Sequence, residues 1–323
     1  MSRQMKPDLR VAAASPSFCE HPVLCDELLQ RFPQAKLNRS LVRLEGAALI
    51  DFLRDSDVAI VGLEHMTAEV IDALPDLKIV SKLGTGVDMI DGVALARRNI
   101  RFGWRAGANA LSIAELVIGF AIVALRHMGA LNITMRAGGD TRHRMGRLLS
   151  GRVFGLHGFG HIGQTVARLL QPFDCRVIAC DVADRAAASQ ELGVEMVTFD
   201  ELLERSEVLS IHIPLFPATR DLYGAATLAR LRPDAVLINT ARGELVDEAA
   251  LLDRLRREPR FAACADVFRS EPAFQSPLFG ESNFFGTPHI GGSAYEARLA
   301  MGRIAIEGIF DNFVPVPGRH PFD

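Results

Sequence analysis

Three glycines, Gly158, Gly160 and Gly163, stand between an apolar run and a helical pattern, and few folds place them so. The stretch reads Val153-Phe-Gly-Leu-His-Gly-Phe-Gly-His-Ile-Gly, and helical spacing continues through Gln164–Leu170. In such a turn the first glycine permits the sharp bend. The second lets a pyrophosphate approach the backbone, and the third lets helix and strand pack closely. Free N–H groups at the helix start then favour negative charge. The next apolar run, Arg176-Val-Ile-Ala-Cys, ends in Asp181, eighteen positions after Gly163. A carboxylate there accepts hydrogen bonds from both ribose hydroxyls of NAD and repels the extra phosphate of NADP. Asp181 therefore favours NAD, and Arg185, close by in sequence, tempers that preference. A lone G-x-G-x-x-G is a common loop; strand, glycines, helix, strand and acid in register predict a dinucleotide site.

Short β-rich runs alternate with helical patterns almost throughout, as parallel sheets covered by helices require. Strands are predicted at Val11–Ala14, Val58–Val61, Lys78–Lys82 and Ile100–Phe102, with helices at Pro22–Arg31, Thr67–Ala73 and Asp91–Arg98. Residues 109 to 136 break the alternation with one or two long helices. A second series follows at Arg152–His157, Arg176–Cys180, Val208–Ile211, Ala235–Asn239, Phe261–Asp266 and Phe284–Thr287, then a final helix near Ala294–Phe313. The tail Val314-Pro-Val-Pro-Gly is a helix terminator and is expected to be loose. The expected class is α/β with two lobes: a Rossmann NAD-binding domain over residues 106–291, inserted into a flavodoxin-like substrate-binding domain made of residues 1–105 with 292–323. The cleft between the lobes is the expected place for chemistry.

A chain of 323 residues, 49% hydrophobic and 23% charged, has ample core for two domains. Its net charge of -3 argues against nucleic acid or an anionic membrane as a partner. The basic cluster Arg142, His143, Arg144 and Arg147 reads as a solvated face or a subunit contact. Five cysteines with no CxxC pair imply free thiols in a reducing compartment and no metal site. Met1–Arg10 is polar and Val11–Ala14 is too short for a signal peptide's apolar core. The longest apolar run, Leu116–Leu125, is about half a membrane span and reads as a buried helix. The expected location is the cytoplasm.

Six further segments carry a resemblance. Asn239-Thr-Ala-Arg-Gly-Glu-Leu-Val-Asp, Asp266-Val-Phe-Arg-Ser-Glu-Pro and Thr287-Pro-His-Ile-Gly-Gly occur in that order, after Lys82-Leu-Gly-Thr-Gly-Val-Asp, Asn109-Ala-Leu-Ser-Ile-Ala-Glu and His212-Ile-Pro-Leu-Phe-Pro-Ala-Thr-Arg. From about residue 58 to 310 the chain resembles the D-isomer-specific 2-hydroxyacid dehydrogenases, of the phosphoglycerate dehydrogenase-like and glyoxylate/hydroxypyruvate reductase-like kind. The resemblance implies hydride transfer between NAD and C2 of a small D-2-hydroxy or 2-keto acid. It makes Arg242 the clamp on the substrate's carboxylate and carbonyl oxygens, His289 the acid–base and Glu271 its hydrogen-bonded support. It also implies that amides around Gly84, Thr85 and Gly86 bind the substrate carboxylate, and that Asp266 anchors the nicotinamide carboxamide. His161 and Ile162 then meet the pyrophosphate, while Pro214, Thr219, Thr240 and Ala241 line the cofactor groove. A homodimer is the oligomer that the resemblance implies.

The pattern departs from phosphoglycerate-specific relatives after Val58–Val61. There an arginine commonly helps hold the phosphate, whereas this chain reads Gly62-Leu-Glu-His, with no cation and an added carboxylate. The chain also ends soon after its last helix, without an added regulatory domain. Both features favour a compact reductase over D-3-phosphoglycerate dehydrogenase proper. A non-catalytic NAD(H)-sensing corepressor-like protein and an unrelated oxidoreductase sharing only the Rossmann lobe are competing functions for such a fold. Glu271 with His289 argues against the latter. His65 is a candidate for the substrate pocket, and His157, at a strand end, has no assigned role beyond packing.

Overall fold

The computed structural model describes residues 9–140, 145–319, 321 and 322. The chain divides into two compact units, one formed by residues up to Asn109 with those from Ser293 onward, the other by Ala110–Gly292.

The first unit is built on five parallel strands: β1 (Val11–Ala13), β2 (Lys36–Leu37), β3 (Val58–Val61), β4 (Ile79–Lys82) and β5 (Arg101–Gly103). Their order is β2-β1-β3-β4-β5, the flavodoxin-like winding. Every residue of β1, β3 and β4 is buried, because helices cover both faces of the sheet. One face packs Leu49, Leu53, Val70, Ile71 and Leu95. The other packs Leu24 and Leu28 against Met301 and Ile306 of the helix Tyr295–Glu307.

At the amino ends of these strands, Asp57 is a nearly buried carboxylate. It pairs with Arg10 Nε at 3.0 Å and Lys78 Nζ at 2.8 Å, and also accepts from the Arg10 amide. Burial pushes its carboxyl up, but the Arg10 and Lys78 hydrogen bonds outweigh that and hold it well below the usual carboxylate range.

The second unit carries seven parallel strands: β6 (Val153–His157), β7 (Arg176–Cys180), β8 (Glu195–Met196), β9 (Val208–Ile211), β10 (Val236–Asn239), β11 (Ala262–Ala265) and β12 (Phe284–Gly286). The order β12-β11-β10-β9-β6-β7-β8 contains the six-stranded Rossmann winding with one strand added beside β11. The helices Ala110–Leu125 and His161–Leu170 cover one face through Val117, Phe120 and Val166. The opposite face packs Leu202, Leu228 and Leu251 around Tyr223. The strand order reverses between β6 and β9, and in open α/β sheets ligands bind beyond the carboxyl ends at such a switch.

The α/β class predicted from the sequence is therefore present, with differences at the margins. Several short elements had no predicted range, among them β2, β8 and the helices Gly46–Leu53, Phe199–Arg205 and Glu248–Arg257. The last helix stops at Glu307 rather than near Phe313, and Phe313 instead forms an antiparallel bridge to Phe102. Nor is the tail loose throughout, because the Phe322 ring packs 5.1 Å from that of Phe102. The helix ends at its Gly308 cap, well before the first tail proline, and two aromatic rings beyond it, Phe313 and Phe322, find apolar cover on Phe102. Of the basic cluster, Arg142, His143 and Arg144 lie outside the described residues. Arg147 is committed within the unit, to Asp234 at 3.1 Å.

Asp57 gives an acid-stability prediction. A carboxyl depressed in the folded state adds stability that is present above its unfolded value, about 3.9, and lost as pH falls through the folded one. Urea unfolding at neutral and acid pH should show Asp57→Asn less stable than the wild type at neutral pH, with the gap closing in acid. A gap independent of pH would remove Asp57 from this role.

Candidate active site

The glycine turn after β6 is built as its spacing requires. Gly158 has φ +100°, and a Cβ there would lie 2.7 Å from the backbone carbonyl group of His212. A Cβ on Gly163 would strike the Gly158 carbonyl oxygen, so the helix packs directly on the turn. Gly160 precedes the helix His161–Leu170, makes no side-chain cap and has open space where a Cβ would stand. Backbone amides are thus presented to an anion without a competing side chain.

Asp181 follows β7, and its carboxylate accepts from Phe159 N at 2.7 Å, Ala183 N at 2.8 Å and Arg185 Nε at 3.3 Å. It therefore pins the glycine turn. Arg185 is its ion-pair partner, a contact that the sequence suggested only through proximity. In the segment after β9, Thr219 Oγ1 donates to Pro214 O and accepts from Phe216 N, which closes that turn. His161 is exposed, whereas Ile162 and Ala241 are partly buried on the two cores. Thr240 Oγ1 is buried without a partner, an unmet hydrogen bond at the carboxyl end of β10. The open Gly160 approach, the uncapped helix start, the Asp181 carboxylate and this unmet hydroxyl together fit a dinucleotide.

Strands β10, β11 and β12 are neighbours in register, with Asn239 opposite Ala265 and Ala265 opposite Gly286. Their carboxyl ends consequently bring Arg242, Glu271 and His289 into one region. Asn239 shapes the first turn, its Nδ2 donating to Arg242 O and its Oδ1 accepting from Ala241 N. Gly243 then passes so close to the Phe268–Arg269 backbone that any Cβ would collide with it. That approach ties the arginine turn to the segment bearing Glu271, whose Oε1 accepts from Phe268 N at 3.1 Å.

His289 lies in the left-handed region at φ +56°, which a side chain adopts at a cost of about 1–2 kcal/mol. Asp266 holds it there. Its backbone oxygen accepts from His289 N at 2.8 Å. Its buried carboxylate accepts from Thr287 Oγ1 at 2.5 Å and from Ile290 N and Gly291 N, each at 2.7 Å. Asp266, for which the resemblance implies a contact with the cofactor amide, also shapes the histidine turn. Ser112 Oγ, donating to Gly291 O at 2.6 Å, adds a further tether.

Glu271 Oε2 lies 2.8 Å from His289 Nδ1. The hydrogen bond to Glu271 raises the His289 pKa above its ordinary value, against the opposing effect of burial and of the Arg242 charge. Burial pushes the Glu271 carboxyl up, but the His289 hydrogen bond and charge, Phe268 N and Arg242 bring it below the ordinary range. The arrangement favours the imidazolium of His289 and the carboxylate of Glu271 over their neutral forms. Arg242 Nη1 donates to Ala241 O at 2.7 Å, and its charge is felt by both members of the pair.

In the first unit, the turn after β4 carries Gly84, Thr85 and Gly86. Gly84 has φ +99°, Trp104 Nε1 donates to Thr85 O at 3.1 Å, and Thr85 Oγ1 donates to Asn109 Oδ1 at 3.3 Å. Lys82, almost fully buried, donates to Leu83 O beside this turn, a cation to which sequence reasoning gave no role. His65 is exposed after β3. His157 proves to be a packed residue: it meets Tyr223 Oη at 2.7 Å and lies against the Phe199 ring, and burial pushes its pKa down to about 4. Among the described residues, no group of three or more His, Cys, Asp and Glu is placed to hold a metal ion.

The close approach at Gly243 is testable. Gly243→Ala should lower stability by about 1–3 kcal/mol, as overpacking does, and lower turnover by displacing Arg242 and Glu271 relative to one another. A variant with unchanged thermal midpoint and activity would contradict that packing.

Comparison with known proteins identifies the family. Residues 118–291 match the family model described as "D-isomer specific 2-hydroxyacid dehydrogenase, NAD binding domain". The chain is 34% identical to the hydroxypyruvate reductase of Thermotoga maritima over 272 residues, covering 83% of this chain and 88% of that one. It is 33% identical to the D-3-phosphoglycerate dehydrogenase of Methanocaldococcus jannaschii over 286 residues, covering 88% of this chain but 54% of that one. It thus spans about half the length of some curated relatives that it matches. A crystal structure of a glyoxylate reductase from Paecilomyes thermophila superposes with a TM-score of 0.81 at 26% identity, covering 92% of this chain and 94% of that one. By the family model and by the nearly full-length match to the Thermotoga protein, the chain belongs to the D-isomer specific 2-hydroxyacid dehydrogenase family.

Proposed function

We propose that the protein is an NAD-dependent oxidoreductase that interconverts a small D-2-hydroxy acid and its 2-keto acid, with NAD supplying or accepting the hydride at C2. The observation that carries this reading is the Glu271–His289 hydrogen bond of 2.8 Å, placed beside Arg242 at the carboxyl ends of three adjacent strands. Unit 110–292 holds the dinucleotide through Gly158, Gly160, His161, Ile162, Gly163, Asp181, Pro214, Thr219, Thr240 and Ala241, with Asp266 beside the nicotinamide end.

Arg242 grips the substrate's carboxylate and carbonyl oxygens, for which a planar fork of donors is suited. Amides around Gly84, Thr85 and Gly86 in the first unit also serve the carboxylate. His289, whose proton affinity is raised by its bond to Glu271, donates its proton to the carbonyl oxygen as charge develops there. In the reverse direction the neutral imidazole takes the proton from the hydroxyl. A raised histidine pKa keeps the acid form available above 6.5 and loses it as pH rises through the folded value, so reduction declines in alkali while oxidation gains.

Relatives named D-3-phosphoglycerate dehydrogenase favour a phosphorylated substrate as the second reading. Against it, the turn Gly62-Leu63-Glu64-His65 offers no arginine or lysine for a phosphate. No single helix among the described residues is long and apolar enough to cross a membrane. The five cysteines are free thiols, which supports a reducing, cytoplasmic location. Exposed Leu111, Met128, Ile133 and Met135 on two successive helices support a homodimer.

The test is NADH oxidation with a panel of glyoxylate, hydroxypyruvate, pyruvate and 2-ketobutyrate. At least one acid should be reduced, and His289→Ala should lose about 10²–10⁴-fold in kcat while NADH binding, followed by fluorescence, is retained. No turnover with any of these acids would sink the enzyme reading, and full activity in His289→Ala would remove that residue from proton transfer.

A further inference from the structure

We infer that Asp221 and Tyr223 are positioning residues, which hold the glycine turn, the Arg242 turn and the Glu271 segment in one register for the reaction. The inference rests on the dehydrogenase reading above and deepens it.

Residues 221–223 end the loop that leaves β9 through Pro214 and Thr219. Their backbone is laced to the chain that follows Arg242. Asp221 N donates to Glu244 O at 2.9 Å, Tyr223 N to Leu245 O at 3.0 Å and Asp247 N to Tyr223 O at 3.3 Å. Glu244 and Leu245 belong to the short helix Gly243–Leu245, and Leu245 N returns to Arg242 O at 3.3 Å. Tyr223 also forms a parallel bridge with Val246.

The two side chains reach the other two segments. Tyr223 Oη meets His157 Nδ1 at 2.7 Å. His157 immediately precedes Gly158, and its carbonyl oxygen accepts from His212 N at 2.7 Å. Both rings are buried, with the Phe199 ring 4.7 Å from the imidazole and 6.1 Å from the phenol. Asp221 pairs with Arg269, two residues before Glu271. Arg269 Nε also donates to Val246 O at 3.2 Å, and Arg269 N donates to Glu248 Oε1 at 2.8 Å. One stretch of three residues is thus bonded to all three segments that carry the site.

A contribution to folding accounts poorly for the Asp221 end. The side chains of Asp221 and Arg269 are 45% and 36% exposed, and an ion pair so open to water adds little stability. Asp221 also lies at φ +55°, an unfavourable backbone for a side chain. What the pair defines is where the Glu271 segment stands relative to the loop from Pro214 to Asp221. A displacement of about 1 Å at reacting groups costs up to about 100-fold in rate. The Tyr223–His157 bond places Gly158 in the same way, at the start of the turn proposed for the pyrophosphate.

The two ends therefore carry different signatures. The experiment measures kcat with the best 2-keto acid of the panel, NADH affinity by fluorescence and the thermal midpoint. The variants are Asp221→Asn, Arg269→Gln, the two combined, Arg269→Lys and Tyr223→Phe. Asparagine tolerates the left-handed backbone, so Asp221→Asn removes the charge alone. Asp221→Asn and Arg269→Gln should each lower kcat about tenfold, with NADH affinity within about twofold of the wild type. Their thermal midpoints should stay within about 3 °C of it. The combined variant should lose no more than either single one, and Arg269→Lys should keep part of the activity that Arg269→Gln loses. Tyr223→Phe should instead weaken NADH binding about tenfold, with a smaller fall in kcat. Should that buried variant fail to fold, the exposed pair still decides. Unchanged kcat in folded Asp221→Asn and Arg269→Gln, additive losses in the combined variant, or a Tyr223→Phe that lowers the thermal midpoint alone overturns the inference. A wild type that reduces no acid of the panel overturns the dehydrogenase reading and the inference with it.

Discussion

The carboxylate of Asp266 holds the histidine turn in a shape that turn would not keep by itself. His289 sits at a left-handed φ, a conformation uncommon for any residue but glycine. Three donors from Thr287, Ile290 and Gly291 converge on one buried acid, and the Asp266 carbonyl takes the His289 amide. Each bond is to a charged acceptor or to backbone, so together they outweigh the cost of about 1–2 kcal/mol for the strained residue. The imidazole is thereby aimed at Glu271 before any substrate arrives, and such prior ordering is what acid–base catalysis needs.

The remaining parts follow from close approach and charge. Gly243 lets the arginine turn touch the Phe268 backbone, Phe268 N holds one oxygen of Glu271, and the other oxygen holds His289. Arg242 works against protonation of His289 and in favour of ionised Glu271, so the pair's proton affinity is a balance of three groups. On the far side of β9, Asp181 performs a matching service for the glycine turn by holding Phe159 N. Two buried or nearly buried acids thus shape the two turns, and the groups that would meet ligands stand on them.

Much of this was legible in the sequence because it is local. Strands such as Val58–Val61 and Val208–Ile211 are short, apolar and β-branched, and the glycine spacing at 158, 160 and 163 leaves little choice of conformation. The residues Arg242, Glu271 and His289 were found as members of long segments. What was not legible depends on contacts between distant segments. Strands of two residues, β2 and β8, carry too little pattern to see. Asp266 serving the turn 21 to 25 residues later, and Phe322 packing on Phe102, exist only once the chain has closed. Glu64 was noticed as an added charge, but its unpaired buried oxygen is a property of the folded unit.

The central claim is that Glu271 raises the proton affinity of His289, and a direct titration of the imidazole tests it best. With ring-labelled histidine, the His289 resonance in the wild type should titrate above 6.5, and in Glu271→Gln its midpoint should move down. A wild-type midpoint at or below that value, or one that Glu271→Gln leaves in place, would contradict the account.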